Sequence, residues 1–205
     1  LRSMVRVLVD EGLARVHNDG FELLLDLPHQ TPQPQVCQVD EVAAEAAVLN
    51  RCGAGLKDVL LGKIDPVGLL FPEGDVTLVE RLYETSIESA VVNQTLAQAI
   101  VETVSAAGGG RIRILEIGAG TGGTTSHVLP VLRDVDFDYV YTDISTAFFR
   151  SAKQKFAQYP SVEYRVLDIE AEPETQGFGK GTFDIILASN VIHATADLRT
   201  TLGHV

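Results

Sequence analysis

The chain has 205 residues and a mass of 22.1 kDa, enough to bury a sizeable core as one domain or two small ones, and 45% hydrophobic with 21% charged residues excludes a disordered polymer. A net charge of −12 and a pI near 4.7 disfavour nucleic acid and other polyanions, whose binding needs a basic field. No apolar run approaches the roughly 20 residues that span a bilayer, and the N-terminal stretch carries acids where a signal peptide would be cleaved, so no membrane partner and a cytoplasmic location are expected.

The chain opens on Leu1 rather than Met, as expected of a piece of a longer polypeptide. "SMVRVLVDEGLARV" places Val5, Leu8 and Val9 at helical spacing. Asn18-Asp19-Gly20 then reads as a tight turn between two strand-like runs. A helix followed by a hairpin resembles the tail of a winged helix. However, Arg2, Arg6 and Arg15 are outweighed by Asp10, Glu11, Asp19, Glu22 and Asp26, so there is no basic recognition face and a packing or lid module is expected. Pro28, Pro32 and Pro34 make a stiff connector that closes this unit at about residue 35.

Residues 36–110 read as mostly helical. "VDEVAAEAAVLNRC" is a helical pattern expected to end at Gly53, with further pieces around "LKDVLLG" and "DPVGLLF". Asp65-Pro66 has the look of an N-cap followed by proline in the first turn. Thr85 and Glu88 stand at capping-box spacing, and Val92, Leu96, Ile100 and Val104 repeat every four residues as one buried stripe, closed by Gly108, Gly109 and Gly110. Cys37 and Cys52 lack zinc-ligand or disulfide spacing and read as reduced, buried thiols; no metal is expected.

From Ile112 the rhythm changes. "IRILEI", "FDYVYTDI", "VEYRVLDI" and "FDIILASNVI" are continuous apolar runs, and helical stretches follow the first two. Such runs mean a parallel sheet covered on both faces, with ligands outside the carboxyl ends of its strands. The informative residues fall there. Gly118, Gly120 and Gly122 strip the first turn of side chains and let a nucleotide-like cofactor approach the backbone. Gly118-x-Gly120-x-x-Gly123 also satisfies the dinucleotide fingerprint. Asp143 ends the second strand, where a carboxylate can accept both ribose hydroxyls of either cofactor type. Asp168, at the end of the third, is positioned for an adenine amine. Glu116, directly before the glycines, suits the amino-acid end of a zwitterion and would repel a pyrophosphate. Together these acids favour S-adenosyl-L-methionine over a nicotinamide cofactor. His193 lies just beyond the fourth strand, whereas His17, His29, His127 and His204 lie in the turn, the connector, the glycine-loop helix and the terminus. Phe148 and Phe149 read as core, with one of them near the adenine as the alternative.

"ILEIGAGTGGTTSHVLP", "YTDISTAFFRSAKQKF", "VLDIEAEPETQGF" and "FDIILASNVIHATADL" resemble the successive motifs of class I S-adenosylmethionine-dependent methyltransferases. More narrowly, they resemble the C-methyltransferase domains of type I polyketide synthases and hybrid peptide-polyketide synthases. "DVLLGKIDPVGLLFPEGD" and "LYETSIESAVVNQTL" are similar to the helical lid of those domains. The resemblance implies an α/β fold: a Rossmann-like class I methyltransferase core over residues 111–205, a parallel sheet truncated after its fourth strand, preceded by a mostly helical lid over residues 36–110. It implies a cofactor site of Glu116, Gly118, Ala119, Gly120, Gly122, Asp143, Ile144, Asp168, Ile169 and Asn190 for S-adenosyl-L-methionine. It also implies methylation at the α-carbon of a β-ketoacyl thioester held on an acyl carrier protein among neighbouring synthase domains, with His193 as general base and Tyr83 of the lid facing the substrate carbonyl. A neutral imidazole with a pKa of about 6.5 is chemically suited to that proton.

The family has seven strands in the order 3-2-1-4-5-7-6 and a later glutamate that orients the histidine. Four strands and no such glutamate are present here, so weak cofactor binding and poor turnover are expected of the chain alone. The alternatives are an O-methyltransferase of the same kind of assembly line, a non-catalytic methyltransferase-like scaffold, and a nicotinamide oxidoreductase. The last is disfavoured because about half the chain precedes the first strand of the core.

Overall fold

The computed structural model describes residues 2–18, 20–24 and 43–205; Cys37 and the proline-rich connector lie outside them. At the N-terminus, helix α1 (Arg2–Asp10) leads into a hairpin of β1 (Ala14–His17) and β2 (Gly20–Leu23), paired from Ala14 opposite Leu23 to His17 opposite Gly20. No helix among the described residues is long and apolar enough to cross a membrane.

Four helices follow: α2 (Ala43–Leu60), α3 (Pro66–Leu70), α4 (Thr77–Thr85) and α5 (Ile87–Ala106). The expected stop at Gly53 does not occur, and α2 runs through both Gly53 and Gly55. Tertiary contact overrides the glycine's weak helix propensity: a Cβ on Gly55 would stand 2.7 Å from the Leu69 methyls, so that glycine lets α3 lie against α2. Asp65 caps α3 as expected, its side chain accepting from the Gly68 amide at 2.9 Å. The cap of α5 is Ser86 rather than Thr85. Its hydroxyl accepts from the Ser89 amide, while its own amide still bonds to the Arg81 carbonyl of α4, so one extended residue ends one helix and begins the next. Thr85 is the last residue of α4.

The buried stripe of α5 also differs from a strict four-residue repeat. Ile100 is buried, Leu96 and Val104 pack against the core, but Val92 is 53% exposed, and Asn93 and Ala97 are buried in its place. Four residues turn an α-helix through about 400°, so a repeat of four drifts roughly 40° per step and leaves the contact face.

The core is a four-stranded parallel sheet ordered β5-β4-β3-β6, made of β3 (Ile112–Glu116), β4 (Phe137–Asp143), β5 (Val162–Val166) and β6 (Ile185–Leu187). This is the 3-2-1-4 order expected for the first four strands. Helices α6 (Gly123–Val131), α7 (Phe149–Lys155) and α8 (Leu198–His204) complete the chain. One apolar cluster centres on Ile114, Val128, Leu129, Tyr139 and Tyr141, with Leu96, Ile100 and Val104 of α5 joined to it. A second cluster contains Leu115, Ile117, Val140, Leu167 and Ile169. The alternation along β3, Ile114 in one cluster and Leu115 in the other, gives this strand two buried faces. Phe149 belongs to the first cluster's margin and meets Tyr141 edge-on, while Phe148 meets Phe71.

Candidate functional site

The site grows from the carboxyl end of β3. Its last residue, Glu116, is 1% exposed, and its Oε2 accepts hydroxyl bonds from Thr125 at 2.5 Å and Tyr139 at 2.6 Å. Burial raises the carboxyl pKa above its ordinary value, and the two bonds only partly oppose this. Beyond it the chain enters the left-handed region three times, at Gly118, Gly120 and Gly122, before α6 begins. The Ala119 amide bonds to the Thr142 carbonyl of β4 at 2.8 Å, and Asp143 is 7% exposed with Oδ2 accepting from the Gly120 amide at 3.0 Å and Oδ1 from the Ser145 amide at 2.8 Å. The Tyr141 hydroxyl donates to the Gly120 carbonyl at 2.5 Å, and burial pushes that phenol well above its usual range.

The glycines of this loop serve different neighbours. A Cβ on Gly118 would lie 2.3 Å from Val191, on Gly122 2.7 Å from the Phe156 ring, and on Gly123 2.6 Å from the Tyr83 carbonyl oxygen. At Gly120 the nearest atom is the Gly118 oxygen at 3.9 Å, with φ at +56°. Three glycines therefore admit protein, and Gly120 faces open space.

That space is a cavity of about 600 Å³ between helices α2, α4 and α5 and the glycine loop. Tyr83 of α4, Ser86, Asn93 of α5 and Glu45 of α2 line it from one side, Glu116, Gly120 and Thr124 from the other, and Ser189 and Asn190 close the end beyond β6. Helices α4, α5 and α6 are stitched together at this wall. Asn93, buried, donates from Nδ2 to the Tyr83 carbonyl at 3.1 Å and accepts the Thr124 hydroxyl at 2.9 Å. Farther out, Lys155 of α7 donates to Glu80 and Glu84 of α4. Burial alone would depress this ammonium's pKa, but the two carboxylate bonds outweigh it and the net shift is upward.

The lining holds three carboxylates, Glu45, Glu88 and Glu116, and no Lys, Arg or His among the described residues. Oε2 of Glu45 is buried with no hydrogen-bond partner. An orphaned buried carboxylate oxygen and a bare glycine backbone in one acidic cavity fit a small cationic ligand with a donor-rich end.

Of the residues expected to bind or react, Tyr83, Glu116, Gly118, Ala119, Gly120 and Asn190 share this cavity. Gly122 lies behind it against Phe156, and Asp143 beneath it, holding the Gly120 amide. Ile144 is 67% exposed. Asp168 stands two residues past β5, its Oδ1 taken by the Glu170 amide at 2.9 Å and its backbone clamped by Gln176. Ile169 is not brought to the cavity. Leu167 and Ile169 alternate into the second apolar cluster, with Asp168 between them. His193 sits on a single 3-10 turn, Ile192–Ala194, with its side chain exposed. It follows Asn190, whose φ of +54° is a strained backbone state for a non-glycine residue. Glu45, Asn93 and Thr124 escape sequence reasoning. The available signal is Asn93, a polar residue in helical phase with Ala97 and Ile100 on an otherwise apolar face.

Residues 115–205 match the family model described as a methyltransferase domain. The non-reducing polyketide synthase Preu3 of Preussia isomera is 37% identical across the whole chain, which covers 8% of that synthase; the chain spans 5–8% of the length of the curated relatives it matches. The crystal structure of the carbon methyltransferase CurJ superposes with a TM-score of 0.88 at 37% identity, over 99% of this chain and 55% of that one. The trans-methyltransferase CalH in complex with SAH gives 0.68 at 35% identity, over 82% of this chain and 46% of that one.

Proposed function

We propose, because this chain belongs to the methyltransferase family and is related along its length to the carbon methyltransferases of polyketide synthases, that it methylates the α-carbon of a β-ketoacyl thioester presented by an acyl carrier protein. The observation that carries the reading is the cavity in which Gly120 alone is unfilled and the carboxylate of Glu116 is buried at the rim of the sheet. A cytoplasmic setting among neighbouring synthase domains belongs to the same proposal, as does the division into a lid over residues 36–110 and a core over 111–205.

S-adenosyl-L-methionine, when bound, supplies an electrophilic methyl group on a positively charged sulfur. Gly120 admits it against bare backbone, and Glu116 and Glu45 set negative charge against its ammonium and sulfonium. Asp143 keeps a lone pair on each oxygen beyond the two amide bonds it accepts, which suits ribose hydroxyls. Asp168 is the candidate for the adenine amine. Asn190 shapes the far end.

His193 takes the α-proton of the β-keto thioester, acidic enough for a neutral imidazole at physiological pH, and leaves an enolate as the nucleophile. Its exposure leaves the ring accessible to substrate. Tyr83 offers its hydroxyl to the substrate carbonyl from the lid. Much of the acceleration then comes from holding the two carbons in line.

The test is mass spectrometry of carrier-bound acyl chains after incubation with the chain and S-adenosyl-L-methionine. Methylation of a β-ketoacyl carrier is expected. Methylation of a β-hydroxyacyl carrier in its place would turn the reading into O-methylation, and cofactor binding with neither product would make the chain a scaffold.

A further inference from the structure

We infer that Lys155 is a positioning residue for the cofactor cavity: its ammonium, reaching from the end of α7 to Glu80 and Glu84, holds the lid helix that brings Tyr83 to the cavity wall. The inference rests on reading that cavity as the S-adenosyl-L-methionine site.

Glu80 and Glu84 stand four residues apart on α4, on one face and with like charge, an arrangement that weakens a helix by itself. Lys155 turns the repulsion into attachment. Its Nζ lies 2.7 Å from Oε1 of Glu80 and 2.5 Å from Oε2 of Glu84, and all three side chains are at most 31% exposed. Partial burial limits screening, and charge-assisted hydrogen bonds are roughly twice as strong as neutral ones.

The inner stitching of the same helix is weaker in kind. It includes the neutral bonds from the Asn93 amide to the Tyr83 carbonyl and from the Ser89 hydroxyl to the Leu82 carbonyl, the contact of His127 Nε2 with the Glu84 carbonyl at 3.4 Å, and the packing of the Tyr83 carbonyl against Gly123. Tyr83 lies next to Glu84 in sequence, so a shift of α4 moves both its ring and the carbonyl that crosses the start of α6. Lys155 also touches the core side of the site. Its Nζ lies 5.7 Å from the centroid of Phe156, the ring that occupies the space a side chain on Gly122 would need. One cation thus spans the lid helix and the ring behind the glycine loop.

Isothermal titration of S-adenosyl-L-methionine into the chain, at low and high salt, reads the effect, with thermal unfolding and amide hydrogen exchange of residues 77–85 in parallel. For Lys155→Met, about a tenfold rise in Kd is expected at both salt concentrations, together with faster exchange along α4. Lys155→Arg should restore most of the affinity. The double variant Glu80→Gln, Glu84→Gln should raise Kd similarly, and adding Lys155→Met to it should change little more. An unchanged Kd and unchanged α4 exchange in Lys155→Met overturn the inference, as do fully additive effects of the two sets of substitutions or a lowered Tm alone. If the unsubstituted chain binds no cofactor, the cofactor reading falls, while the exchange measurement still decides whether Lys155 holds α4.

Discussion

Tyr139 donates its hydroxyl to Oε2 of Glu116 at 2.6 Å in the middle of the sheet, where both side chains are almost wholly buried. Thr125 of α6 donates to the same oxygen, so strand β4 and the glycine-loop helix aim one carboxylate between them. The arrangement places charge where it is costly for folding and useful for a cationic ligand.

Glu116→Gln should therefore separate stability from binding. The folded pKa of Glu116 lies above the ordinary 4.5, so below that value both states are protonated and nothing is lost. As pH rises from there through the raised folded value, the unfolded chain ionises first and stability falls. Gln keeps an oxygen for the two hydroxyls and removes the ionisation. At pH 7 the variant should be more stable than the unsubstituted chain, with the gain vanishing toward pH 4, while losing affinity for S-adenosyl-L-methionine at least tenfold. Thermal unfolding across pH, with titration calorimetry, measures both.

The glycines should sort by what they face. Gly118→Ala meets Val191 at 2.3 Å and has φ at +63°, so overpacking and backbone strain together should destabilise the chain by roughly 2–4 kcal/mol. Gly120→Ala meets no protein atom closer than 3.9 Å and should cost only the left-handed strain, about 1–2 kcal/mol. Its effect on cofactor binding should nevertheless be the larger of the two once folding is corrected for. Denaturant unfolding beside calorimetry makes the comparison.

Asp143→Ala leaves the Gly120 and Ser145 amides without their acceptor. A loss of about 1–3 kcal/mol is expected for the unsatisfied groups, together with weaker cofactor binding because the glycine turn loses its brace. Asp143→Asn, which keeps one acceptor oxygen, should fall between the two chains. Equal stability of all three would show that the amides find water instead.

His193→Ala should leave cofactor affinity unchanged and stability within about 0.5 kcal/mol, since the ring is exposed. Methyl transfer to a β-ketoacyl carrier should fall by about 10²–10⁴-fold. Transfer that survives the substitution would remove the general-base role.

The sheet order, the cap at Asp65 and the glycine turn at the strand end were legible in the sequence, because each depends on neighbours a few residues apart or on continuous apolar runs. Local pattern was insufficient where a distant contact intervened. Gly53 reads as a helix end, yet α2 continues across it and across Gly55, on which Leu69 packs. Thr85 has the spacing of a cap, but it belongs to α4, and Ser86 takes the role.

The residue types needed for a cationic nucleotide-like ligand, bare turn and acids at strand ends, were set by the sequence alone, since strand ends gather by topology whatever the side chains do. Which glycine is open, which carboxylate is orphaned and which cation ties the lid down were decided only by tertiary packing. Those properties belong to pairs such as Gly118 with Val191, Asn93 with Thr124 and Lys155 with Glu84, which lie far apart along the chain and meet only when helices and sheet exclude water from between them.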